Sequence, residues 1–211
     1  MDGAFGALAA LSSTIRPRLL GIERADSLAF DFHKWAQVPY DAGCIVVRDG
    51  QAQADAFAQT LAYLSREDRG AAANAPWPCD LGPDLSRGFR ALKVWMTLAT
   101  YGADRMGRMV DESCAVARHL AARIEAEPSL ELLAPVSLNI VCFRVIDGSG
   151  DLDRLNGELV KDLQESGIAV PSTTTIDGKR AIRAAIVNHR TSSRDVDMMI
   201  DGLLRLAQNR G

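Results

Sequence analysis

The chain has 211 residues, 47% of them hydrophobic and 24% charged, with a formal net charge of -3. That length and composition suit one large or two small globular domains with a real core. The slight acidity offers no broad attraction for phosphate backbones or anionic lipid, so nucleic acid and membrane surfaces are not expected partners. Four well-separated cysteines, Cys44, Cys79, Cys114 and Cys142, form no Cys-x-x-Cys pair and read as reduced thiols, which fits a cytoplasmic location. Phe5 to Leu11 is apolar, but Asp2 precedes it and no basic residue stands before it, so neither a signal sequence nor a membrane span is expected.

In chain order, Ser27 to Asp31 and Cys44 to Arg48 read as strands, the second closed by the turn signal Asp49-Gly50. Between them lie His33-Lys34-Trp35 and the breakers Pro39 and Gly43, so Lys34 is predicted on a strand-to-strand connection. Residues 51 to 64 are helix-compatible. Arg66 to Pro83 lacks an apolar period and reads as a long loop, a length associated with lids and functional segments. Phe89, Leu92, Met96 and Ala99 recur at helical spacing up to Gly102.

A change of unit is predicted near Tyr101-Gly102, giving domains at 1–103 and 104–211. From Asp104 the stripe Met106, Val110, Cys114, Ala117, Leu120, Ala121 and Ile124 marks a long amphipathic helix that stops before Pro128. Beyond it Ser137 to Val145 and Ala181 to Val187 read as strands. Asp151 to Ser166 and Ser193 to Gln208 read as helices, the last capped by Ser192. The order of strands and helices predicts an α/β fold.

A lysine beside a histidine is not in itself a site. Delivered by an apolar strand into a partly desolvated place, however, an amine can act as a Schiff-base nucleophile. The run Ala25 to Trp35, ending Asp31-Phe32-His33-Lys34-Trp35, followed by Tyr40-Asp41-Ala42-Gly43-Cys44, resembles the lysine segment of the group II pyridoxal-phosphate-dependent decarboxylases, which act on aromatic amino acids, histidine and glutamate. The similarity continues through Arg87 to Trp95, Tyr101-Gly102, Leu138 to Arg144 and Ile182 to Asn188, in family order.

The resemblance implies the C-terminal part of an aspartate-aminotransferase-like (fold type I) large domain in residues 1–103, and a small α/β domain after it. It implies that Lys34 carries pyridoxal 5'-phosphate and that His33 contacts its phosphate. Asp2 resembles the aspartate that pairs with the pyridine nitrogen, and Ala4 the small residue that lies against the ring. Tyr63 resembles the loop phenol that returns a proton after carbon dioxide leaves, where relatives with phenylalanine resemble aldehyde synthases. Arg183 is the arginine that meets the substrate carboxylate in the glutamate branch. Asp31 departs from the asparagine of several relatives: near a phosphate a carboxylate has no proton to donate.

Full family members are longer, and the remainder supplies the side chain stacked on the ring and most of the phosphate cradle. The resemblance thus implies a partial chain of an amino-acid decarboxylase working as a homodimer. The alternative is a catalytically silent C-terminal remnant that serves only in dimerisation or packing.

Overall fold

The computed structural model describes residues 1–58, 63, 67–70, 73, 77–146 and 150–210. It divides into two units: residues 1–8 with 17–102, and residues 9–16 with 103–211.

In the first unit, β1 (Ser27–Asp31) and β2 (Gly43–Val47) pair antiparallel, with Asp31 opposite Gly43. The other edge of β1 carries Met1 to Gly3, parallel to it through a bridge between Asp2 and Ala29. The Gly3 N–H donates to the Ala29 carbonyl at 2.7 Å and the Ala29 N–H to the Met1 carbonyl at 3.1 Å. A Cβ on Gly3 would lie 2.7 Å from Ala7 Cβ and 2.8 Å from Leu28 Cδ1, so only glycine permits this approach. Helix α1 (Gly50–Phe57) starts at Asp49, whose Oδ1 accepts the N–H groups of Gln51 and Ala52. It ends at Phe57, earlier than the sequence pattern suggests, because Ala58 turns extended. The rest of that expected helix, residues 59–62 and 64, lies outside the described residues. The expected loop of 66–83 contains a 3-10 turn at Pro78–Leu81, and its residues 66, 71–72 and 74–76 also lie outside.

Helix α2 (Arg90–Tyr101) stops at Gly102, which adopts φ 75°. Its apolar stripe is exposed rather than buried: Phe89 just before it, Leu92, Trp95 and Met96 all face solvent within this chain.

The second unit holds a four-stranded antiparallel sheet of order β3-β4-β6-β5, from β3 (Leu130–Leu132), β4 (Ile140–Val145), β5 (Ser172–Ile176) and β6 (Lys179–Ala185). Alternation on β4 buries Val141, Phe143 and Val145. They join one core with Leu120 and Ile124 of α3 (Ala103–Glu125), Leu159 and Leu163 of α4 (Leu152–Glu165), and Ile200 and Leu203 of α5 (Ser193–Gln208). Helix α5 begins with a capping box between Ser192 and Asp195. Strands β3 and β5 were not expected from sequence. The second could have been, since Asp177-Gly178 forms the tight turn into β6 with φ of 48° and 76° at its two residues.

Buried Asn156 of α4 binds the carboxyl end of β4: its Oδ1 accepts the Val145 N–H and its Nδ2 donates to the Val145 carbonyl. Residues 9–16 belong to this unit because Ser12 and Thr14 both donate to the Asp111 carboxylate on α3, and because Gly107 leaves room for the Leu11 carbonyl, which a Cβ there would meet at 2.2 Å.

Candidate active site

The connection from β1 to β2 is folded back on itself. The Phe32 N–H donates to the Ala42 carbonyl at 2.9 Å, the Val38 N–H to the Phe32 carbonyl, and the Lys34 N–H to the Asp31 carbonyl. Trp35, Ala36, Val38 and Ala42 are buried beneath it, and Phe5 meets the Trp35 ring edge-on at 6.4 Å. Apolar anchoring that starts at the residue after Lys34 therefore holds the backbone that presents it. The Arg90 guanidinium at the start of α2 fastens the far end of the connection, donating to both Asp41 oxygens at 3.0 Å and holding that carboxyl below its usual range.

At the carboxyl end of β1 three polar side chains converge. The Lys34 ammonium lies 2.6 Å from Asp31 Oδ2 and 4.7 Å from the centre of the Phe5 ring. His33 Nε2 lies 3.9 Å from Asp31 Oδ1. The Ala42 N–H donates to His33 Nδ1 at 3.0 Å, so that nitrogen carries a lone pair and the neutral ring bears its proton on Nε2. The ring also stands edge-on to Tyr40 at 4.6 Å.

On the neighbouring parallel segment, Asp2 Oδ1 accepts the Ala4 N–H at 2.9 Å. Asp2 and Lys34 thus sit near the same ends of adjacent parallel segments, where ligands of α/β sheets characteristically bind.

The structure brings Lys34, His33 and Asp31 together, and sets Asp2 and Ala4 on the adjoining segment. Tyr63 is 74% exposed, and its neighbours 59–62 and 64–66 lie outside the described residues. Arg183 belongs to the second unit, on β6 opposite Cys142 of β4. Asp31, set aside on sequence grounds because a carboxylate has no proton to donate to a phosphate, is the partner of Lys34. Its position three residues before the lysine at a strand end was a usable signal. Phe5 had none, because its contact with Lys34 depends on the path of the chain.

An amine nucleophile, an imidazole with a free N–H donor and a strand-end carboxylate form a donor set suited to an aldehyde-bearing pyridine phosphate. Burial pushes the Cys44 and Cys142 thiols up, and none of the four cysteines forms a disulfide. Among the described residues, no cluster of three or more His, Cys, Asp or Glu is placed to hold a metal ion, and no helix is long and apolar enough to cross a membrane.

Known proteins resemble this chain along almost its whole length. The chain is 32% identical to the aromatic-L-amino-acid decarboxylase of Bacillus atrophaeus, over 98% of its own length and 44% of the relative's. It is 34% identical to the histidine decarboxylase of Drosophila melanogaster, covering 93% of this chain and 22% of that one. The chain thus spans less than half the length of either relative.

Among solved structures, the glutamate decarboxylase domain of a Vibrio parahaemolyticus diaminobutyrate-pyruvate transaminase and L-2,4-diaminobutyrate decarboxylase superposes with TM-score 0.79 at 31% identity, covering 99% of this chain and 40% of that one. The Oryza sativa enzyme TDC, solved with PLP and tryptamine, superposes with TM-score 0.88 at 24% identity, covering 99% and 44%. The fold is therefore that of the C-terminal part of a fold type I pyridoxal-phosphate enzyme. The pyridoxal-dependent decarboxylase conserved domain matches residues 1–146, and the chain belongs to that family.

Proposed function

We propose that this chain is the lysine-bearing part of a pyridoxal-phosphate-dependent amino-acid decarboxylase, a carboxy-lyase, with residues 1–103 completing the cofactor domain and 104–211 forming the small domain. The observation that carries the reading is that the Lys34 amine and His33 Nε2 both approach the Asp31 carboxylate, one at each oxygen, at the end of a strand whose parallel neighbour bears Asp2.

When bound, the cofactor supplies an electron sink for the pair left as carbon dioxide departs. Lys34 is the covalent anchor. His33 donates from Nε2 to a phosphate oxygen, as its tautomer allows. Asp2 holds a proton on the ring nitrogen, and Ala4 leaves the ring room. Tyr63 returns a proton to the substrate carbon, and Arg183 offers a planar pair of donors to a substrate carboxylate. The protein is proposed to work as a cytoplasmic homodimer on a small amino-acid substrate.

The exposed apolar residues of α2 favour a second reading, a silent packing module, for this chain in isolation. Mixing the purified chain with pyridoxal phosphate and then borohydride separates the two. The proposed function requires a coloured adduct reduced onto Lys34 and lost in Lys34→Ala. Colourless protein with no modified lysine would leave the packing module.

A further inference from the structure

The lysine proposed to take the cofactor is already engaged. Its ammonium is 2.6 Å from the Asp31 carboxylate and 4.7 Å from the centre of the Phe5 ring. A carboxylate and the negative face of an aromatic ring are both partners for a cation, and neither favours an uncharged amine. The pair is better shielded than ordinary surface ion pairs, with the Lys34 and Asp31 side chains 29% and 25% exposed. The strand holds Asp31 in register with Gly43, and Phe5 lies against buried Trp35, so both partners have supports of their own besides the lysine.

We infer that Asp31 and Phe5 form a dock for the Lys34 ammonium in the cofactor-free protein. They are positioning residues that keep the amine at the end of β1 and restrain its reaction until an aldehyde competes for it. To react, the ammonium must leave the carboxylate and give its proton to solvent. The nitrogen lone pair then adds to the aldehyde carbon, and the carbonyl oxygen departs as water. This role of the dock in cofactor loading rests on the proposed assignment of Lys34; the restraint on the amine does not.

The sequence simplifies the test, because its lysines are Lys34, Lys93, Lys161 and Lys179 alone. The cofactor-free full chain would be methylated with formaldehyde and a borane reductant at fixed pH, and the rate at each lysine read by peptide mass spectrometry. In Asp31→Asn, Lys34 should react roughly three- to tenfold faster than in the unaltered chain, with Phe5→Leu giving a smaller increase. Lys93, on α2 of the same unit, should keep its rate in both variants. Equal Lys34 rates in all three proteins would overturn the inference. If Asp31→Asn also speeds Lys93, that unit has opened, and Phe5→Leu decides by the same criterion. Pyridoxal phosphate takes no part in this reaction. Failure to trap the cofactor on Lys34 would remove the proposed function and leave the dock, whereas equal methylation rates would remove the dock alone.

Discussion

The two units solve the burial problem differently. In the second, α3, α4, α5, β3, β4 and β6 all contribute to a core in which Phe143, Leu120, Leu159, Ile200 and Leu203 are fully buried, and among the described residues Ile146, Val170 and Met198 are its exposed large apolar ones. In the first, neither α1 nor α2 has a buried residue among those described, β1 and β2 make only a two-stranded ladder, and Ile45, Val46, Phe89, Leu92, Trp95, Met96 and Tyr101 are exposed. A two-stranded ladder is marginal alone, and such an apolar surface marks contact with further polypeptide. The candidate chemistry therefore lies in the less self-sufficient unit. Its local rigidity comes from the anchored β1–β2 connection, not from a thick core.

This contrast predicts a ranked set of effects on the chain as it stands. Phe143→Ala should cost about 3–5 kcal/mol in urea or thermal unfolding, because it opens a cavity in the closed core. A cost under about 1 kcal/mol would mean that this core is as loose as the first unit.

A smaller effect should come from Glu131. Arg144 first and Lys179 second hold its carboxyl below the usual range, against an opposing effect of burial. A carboxyl whose pKa is lowered by folding stabilises the fold above its unfolded pKa and loses that contribution as pH falls through the folded value. Glu131→Gln should therefore be destabilising near neutral pH, and the gap should close toward about pH 3. A gap that stays constant or widens in acid would contradict this.

The smallest effect belongs to Trp95→Ala, about 0.5 kcal/mol or less, since a side chain 66% exposed has little packing to lose. A loss comparable to that of Phe143→Ala would show that α2 is covered in solution and would erase the contrast between the units.

How much of this was legible in the sequence depended on the range of the interaction. β1 and α5 occupy the residues their local patterns predict, because alternation and a capping box are written within a few neighbours. The stripe of α2 was also legible, but a period reports amphipathicity and not what covers it. β3 escaped because it has three residues, and β5 because its run Ser172 to Thr175 is polar, although the turn after it was readable. In the site, Lys34 and His33 were legible as a motif. Asp31 was set aside on the argument that a carboxylate has no proton to donate to a phosphate, before its partner was known to be an ammonium three residues away.

The sequence by itself determined most of the local elements, the family resemblance and the motif that holds the proposed cofactor lysine. These rest on short-range periodicity and a contiguous motif. Only the tertiary structure decided that residues 9–16 pack with the second unit and that Phe5 meets the Lys34 ammonium. Such contacts between distant positions depend on the path of the chain, which no local pattern encodes.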